Sequence, residues 1–153
     1  MNLDLTPDMR AAWQVPIFDK TFWLGRVKRY CIVIPVINEG VRIQNLLDRM
    51  KARKIAEVAD IIIVDGGSSD GSVSPNVLKK KDVRCLLVKK GQGRLSAQLR
   101  CAYAFAMDQG YEGIITIDGN DKDDPIATQK FIEALNNGFD FVQASRFIRG
   151  GKA

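Results

Sequence analysis

Two loops of opposite charge carry the residue types best suited to chemistry. Lys89-Lys90-Gly91-Gln92-Gly93-Arg94 places cations and two glycines just ahead of a helical pattern. Glycines let the backbone come close to a ligand. The unpaired N–H groups of a helix start, beside cations, suit a phosphate or diphosphate. A solvated basic loop with a glycine turn is the plainer alternative. Asp118-Gly119-Asn120-Asp121-Lys122-Asp123-Asp124 follows an apolar run. A carboxylate at that strand end faces the crevice. With the amide oxygen of Asn120, Asp118 can hold a hard divalent cation, Mg2+ or Mn2+. Such an ion bridges phosphate oxygens and neutralises a departing diphosphate. Here the plainer alternative is a capped helix start in a solvated acidic loop. A calcium loop of the helix–loop–helix kind is excluded, because its glycine and terminal glutamate are not at the required spacing. In the third loop, Asp65-Gly66-Gly67-Ser68-Ser69-Asp70-Gly71, Asp65 suits a base N–H or a ribose hydroxyl. Asp70 reads as an Asx turn that caps the following helix.

These loops need rigid elements behind them. Tyr30–Ile37, Asp60–Asp65, Val83–Val88 and Gly113–Asp118 are continuous apolar, β-branched runs, as in strands buried on both faces. Phe139–Arg146 reads as a fifth strand. Between them lie helical patterns: Ile43, Leu46, Leu47 and Met50 after Arg42; a short helix over 73–78; and Leu95, Leu99, Ala102, Phe105 and Ala106 within 94–108. A last helix has Pro125 in its first turn, Asp124 as its N-cap and Gly138 as its C-cap. The alternation predicts an α/β fold, a three-layer doubly wound and mostly parallel sheet. Ligands bind such sheets at the carboxyl ends of the strands. Asn38, Glu39, Asp65, Lys89, Arg94, Asp118 and Arg146 all fall at those ends. Residues 1–29 show no period and form an N-terminal arm on a core spanning 30–150. The arm's large apolar residues, Trp13 to Leu24, either pack on the domain or face a lipid or partner.

Composition removes several classes. The chain of 153 residues contains no histidine, which excludes Ser-His triads and histidine metal sites. Cys31, Cys85 and Cys101 lie far apart in apolar surroundings, as free thiols do in a reducing compartment. The net charge of +5 is too mild to imply nucleic acid. Its distribution is more telling, because 79–94 holds seven basic residues against Asp82, and 118–124 holds four acids against Lys122. No run reaches the roughly 18 apolar residues of a membrane span, and the N-terminus is not a signal peptide. A cytoplasmic protein, with peripheral contact at the membrane's cytoplasmic face left open, is the expectation. Gly91-x-Gly93-x-x-Ser96 is a degraded dinucleotide fingerprint. It follows the third strand instead of the first, which argues against a nicotinamide enzyme.

Taken in order, the segments resemble the inverting glycosyltransferases of family 2, which have the GT-A fold. Ile32–Gly40 is similar to that family's P-x-x-N-E, Ile61–Ser72 to V-D-D-G-S-x-D-G and Gly91–Ala97 to G-x-G-x-x-x-A. Ile115–Pro125 is similar to D-A-D-x-Q-x-x-P and Phe139–Phe147 to D-x-V-x-G-S-R. Nearest in look are the polyprenyl-phosphate sugar transferases. The resemblance implies a nucleotide-diphosphate sugar donor (UDP- or GDP-linked), a divalent cation, and a lipid-phosphate acceptor. It implies that Pro35, Asn38 and Glu39 border the nucleotide and that Asp65 holds base or ribose. Lys89, Gly91, Gly93 and Arg94 would serve the diphosphate, Asp118 with Asn120 the metal, and Arg146 the acceptor or diphosphate. Departures are Gly66 for the second aspartate of V-D-D, Asn120 for that of D-x-D, and Lys122 for the glutamine. The family's catalytic domain also continues past the last motif, so a C-terminally incomplete domain is expected. The competing readings are a non-catalytic nucleotide-sugar-binding domain and a nucleotidyltransferase. The latter would need a glycine-rich basic loop where Val36-Ile37-Asn38-Glu39 stands.

Overall fold

The apolar runs become a five-stranded sheet in a computed structural model that describes residues 5–122 and 124–144. The strands are β1 (Phe18–Trp23), β2 (Tyr30–Val36), β3 (Asp60–Asp65), β4 (Val83–Lys89) and β5 (Gly113–Thr116). Their order across the sheet is β1-β4-β3-β2-β5. The β2, β3, β4 and β5 pairings are parallel, and β1 is antiparallel to β4. The helices are α1 (Pro7–Ala12), α2 (Val41–Ala52), α3 (Pro75–Lys80), α4 (Leu95–Asp108) and α5 (Ala127–Asn136).

Every residue of β2 and β3 is buried, which explains why their sequences read as unbroken apolar runs. Alternate side chains serve two cores. On one face Ile32, Ile34, Ile61 and Ile63 pack with Ile43, Leu46 and Met50 of α2, Leu78 of α3 and, at the margin, Phe131 and Leu135 of α5. On the other, Cys31, Val33, Ile62 and Val64 pack with Cys101, Ala102, Phe105 and Ala106 of α4. Each isoleucine fully removed from water contributes about 1.5–3 kcal/mol. The three layers are those the alternation predicted. All three cysteines are free and buried, and all line the α4 side.

The N-terminal segment differs from the expected periodless arm. Thr6 caps α1 by accepting from Met9 N–H (3.2 Å), and β1 joins the sheet edge from Phe18↔Lys89 to Trp23↔Cys85. The register shifts between Lys20 and Phe22, and Phe22 is the strand's only buried residue. That irregularity erased the period-two signal. A second difference concerns the expected strand Phe139–Arg146. Residues 139–144 form no strand, and Arg146 lies outside the described residues. Gly138 takes φ +91° and donates to Leu135 O, and Phe139 N–H turns back to Ala134 O (3.2 Å). The start of this segment is thus committed to ending α5. The short helix begins at Pro75, two residues later than expected.

Connections run from β2 to β3 to β4 in one direction, and β5 then returns to the far side of β2. This reversal opens a crevice at the carboxyl ends of β2 and β5, where an open α/β sheet binds ligands.

Candidate functional site

A cleft of about 410 Å3 lies at those strand ends. It is lined by Pro35, Glu39, Lys89, Gly93, Arg94 and Asp118, which the sequence had assigned to one site from three separate segments. Gly66 and Gln98 line it as well, and Ile37 and Leu95 form part of its exposed rim.

The basic wall is the start of α4. Arg94 is the N-cap, no side chain caps the helix, and the first turn holds no acid. The N–H groups of that turn and the positive end of the helix dipole are therefore left for an anion. Lys89 Nζ donates to Gly91 O (2.7 Å), which folds the basic loop back on itself. Gly93 has φ +104°, and a methyl there would lie 2.6 Å from Ala97 Cβ. Gly91 does a different job from the one expected. A methyl on it would lie 2.8 Å from Pro16 Cβ, and its N–H and that of Lys90 both donate to Ile17 O. It lets the N-terminal segment pass, and it does not line the cleft.

The acidic wall comes from the loop after β5. Gly119 runs so close to β2 that a methyl on it would lie 2.9 Å from Pro35 O. This close approach sets Asp118 beside Pro35 and Glu39. The Glu39 carboxylate is paired with Arg42 at 2.9 Å. The guanidinium is out of line for a hydrogen bond, so the buried Oε2 has a charge partner and no hydrogen bond. Asp118 Oδ1 accepts from Asn120 N–H (3.2 Å), and Asn120 Oδ1 accepts from Lys122 N–H (3.0 Å). Asn120 is thus turned into its own loop and does not line the cleft. Asp121 pairs with Arg49 of α2, which pins the loop from the other side.

Asp65 and Asn38 lie beside the cleft as scaffolding. Asp65 is buried, and its carboxylate accepts from Ser68 N–H (3.0 and 3.1 Å) and Ser68 Oγ–H (2.6 Å). Asn38 N–H donates to the same Ser68 Oγ, and Asn38 Oδ1 accepts from Ser69 N–H (2.8 Å). The Asp65 oxygens expected to face base or ribose are therefore engaged with the loop's own serine. Asp70 forms the expected Asx turn, accepting from Ser72 N–H (3.0 Å). Its other oxygen accepts from Gly40 N–H (3.0 Å), so it ties the β2 and β3 loops together and does not cap α3.

Gln98 went unremarked in the sequence. It sits in the buried stripe of α4 between Ala97 and Leu99, and a polar residue on an apolar stripe was the available signal. Its carboxamide donates to Val36 O (3.0 Å) and Val64 O (3.1 Å), the tips of β2 and β3. Among the described residues no cluster of three acidic or thiol side chains could enclose a metal ion, and no helix is long and apolar enough to cross a membrane.

Residues 31–153 match glycosyl transferase family 2. The chain is 30% identical over 129 residues to an undecaprenyl-phosphate 4-deoxy-4-formamido-L-arabinose transferase of Yersinia pestis bv. Antiqua (strain Angola), covering 80% of this chain and 38% of that protein. The protein of the same name from Yersinia pseudotuberculosis serotype O:3 (strain YPIII) matches at 30% over the same shares. The chain thus spans 38% of the length of these relatives. With that match over most of the chain, and Pro35, Glu39, Arg94 and Asp118 gathered at the strand ends of an α/β sheet, this chain belongs to glycosyl transferase family 2.

Proposed function

We infer that this chain supplies the donor-binding part of a glycosyltransferase that takes a sugar from a UDP- or GDP-linked donor and passes it to a lipid phosphate. The observation that carries the reading is the cleft itself, which Lys89, Arg94 and the open start of α4 line together with Asp118 and Glu39. A diphosphate suits the basic wall. The relatives' names supply the acceptor class, an undecaprenyl phosphate. A phosphate acceptor is already an anion, so no strong base is needed to activate it. What remains is to hold the anomeric carbon in line and to stabilise the leaving diphosphate.

The residues present fit a divalent cation in one respect. Mg2+ is commonly held by one or two carboxylates together with substrate phosphates. Asp118, which lines the cleft with Lys89 and Arg94, would be the protein's carboxylate. When bound, the ion would neutralise charge on the departing diphosphate. Asn120, whose amide oxygen already accepts from Lys122 N–H, is the weaker partner. That engagement favours a second reading, a domain that binds the donor without catalysing transfer.

Isothermal titration with UDP and GDP, with and without Mg2+ or Mn2+, tests the donor site. Binding of at least one, tightened by the ion, is expected. No heat with either, at millimolar ligand and with folded protein, overturns the reading. A transfer assay to polyprenyl phosphate with labelled donors then separates the enzyme from the binding domain.

A further inference from the structure

One of the residues lining the cleft is a buried neutral amide. Gln98 is 4% exposed, and it reaches from α4 to the two central strands. Its Nε2 donates to Val36 O and Val64 O. These two acceptors fix the orientation of the amide, since the flipped form would set Oε1 against two carbonyl oxygens. Val36 O also accepts from Gly66 N–H at 2.8 Å, so Gln98 and Gly66 donate to the same carbonyl oxygen. Gly66 leaves the space into which the carboxamide fits, because a methyl there would lie 2.9 Å from Gln98 Cδ and Nε2 and 3.2 Å from Oε1. Position 66 is where the resembling motif carries an aspartate. In this chain an amide from another element fills that volume, and any side chain at 66 would displace it.

We propose that Gln98 is the positioning residue of the donor cleft, and that Gly66 and Gln98 act as one unit. The amide holds the end of β2, which carries Pro35 and leads into Glu39, against the end of β3. It does so from the helix whose start carries Arg94. The spacing between the basic and acidic walls is therefore set through Gln98. Both of its N–H groups are spent on backbone carbonyls, and the side chain that lines the cleft there is neutral, where the resembling motif would place a carboxylate. Asp118 and Glu39 are then the cleft's only acids among the described residues that line it.

A double-mutant cycle tests the unit. Gly66→Ala, Gln98→Ala and the double variant are compared by thermal midpoint and by UDP and GDP affinity, measured well below each midpoint. Each single change is expected to lower the midpoint, and the double variant to lose less than the sum, because the alanine at 66 enters the space the amide vacates. Gln98→Leu keeps the bulk and removes the donors. It should stay folded, bind uridine and UDP (or guanosine and GDP) at least tenfold more weakly, and show faster hydrogen exchange at Gly66 N–H. A loss of affinity for nucleoside and diphosphate forms alike marks displaced walls; loss of a single direct contact would spare one of them. Additive midpoints in the cycle overturn the coupling. Wild-type affinity in folded Gln98→Leu overturns the positioning role. The affinity arm rests on the donor-binding reading, whereas the midpoint and exchange arms do not. If the unaltered chain binds neither nucleotide, that reading fails, and the coupling is still decided by the other two.

Discussion

Arg94 and Asp118 line the same cleft, and the donor-binding reading assigns them different parts of a donor. Arg94 caps α4 with its side chain unused as a cap, so its charge is available to a diphosphate. A charge-assisted hydrogen bond is worth about 1.5–3 kcal/mol. Arg94→Ala should therefore weaken UDP or GDP binding by about tenfold or more and leave uridine or guanosine affinity nearly unchanged. Asp118→Ala should remove the part of the affinity that depends on Mg2+ or Mn2+ and leave the cation-free part. Titrations of both variants with nucleoside and diphosphate, with and without the ion, check this; equal losses for every ligand would mean that the cleft had collapsed. Lys89→Ala is a poorer probe, because Lys89 also holds Gly91 O and its loss loosens the loop. Pro35, Glu39, Lys89, Gly93, Arg94 and Asp118 were legible as residues of one site because each lies at or just past the end of an apolar strand, and strand ends in such a sheet share one edge; Gln98, on α4, was not. What Asp65 and Asn38 do there was not legible. Their oxygens are taken by Ser68 and Ser69, and whether a short polar side chain faces outward or satisfies its own loop depends on the loop's fold.

Among the strands, β1 is the one that composition concealed, and it supports the site from outside. It pairs with β4 along the edge, and the segment before it crosses Gly91 at the base of the basic loop. Phe22 anchors the strand in the core shared by α2 and α3, with Lys79 Nζ 5.0 Å from its ring centre. Phe22→Ala should cost about 3–5 kcal/mol, read as a lower urea midpoint. It should also lower diphosphate affinity, since the Lys90 and Gly91 N–H groups lose the fixed partner Ile17 O. Freed of β1, the edge of β4 would expose unpaired backbone and promote association, visible by light scattering. An unchanged urea midpoint would mean that the strand is merely laid on the sheet. The parallel strands were legible almost to the residue, because burial on both faces leaves an unbroken β-branched run. β1 was not, because an irregular edge strand with one buried side chain has no period to read. The Phe139–Arg146 segment shows the opposite failure. The described part, residues 139–144, has strand-like composition but joins no ladder, and the helix end claims its first residue through Phe139 N–H.

At the scale of the whole molecule, the site and the thiols report on the same layer. Cys31 lies on β2, which carries Pro35 and leads into Glu39; Cys101 lies on α4, whose start carries Arg94; Cys85 lies on β4, on the other side of β3 from β2. All three are buried in the α4-side core. Burial pushes the Cys31 and Cys101 thiols up from their ordinary range and the Cys85 thiol up to about 12. At neutral pH they are therefore protonated as well as covered, and the thiolate is the reactive form. A thiol reagent should label none of them in the folded chain, and all three once the α4 layer opens. Labelling then measures that opening. A ligand that binds only the closed form stabilises it by RT ln(1 + [L]/Kd), about 2.7 kcal/mol at one hundred times Kd. UDP or GDP with Mg2+ at that excess should slow labelling of all three cysteines by about 100-fold, provided reclosing outpaces the reagent. Because α4 carries both Arg94 and Cys101, that thiol should be protected no less than the other two. Mass spectrometry of the labelled chain over time, with and without nucleotide, gives the three rates separately. Equal rates with and without saturating nucleotide would show that the ligand is held by loops alone, without drawing on the closure of α4 against the sheet.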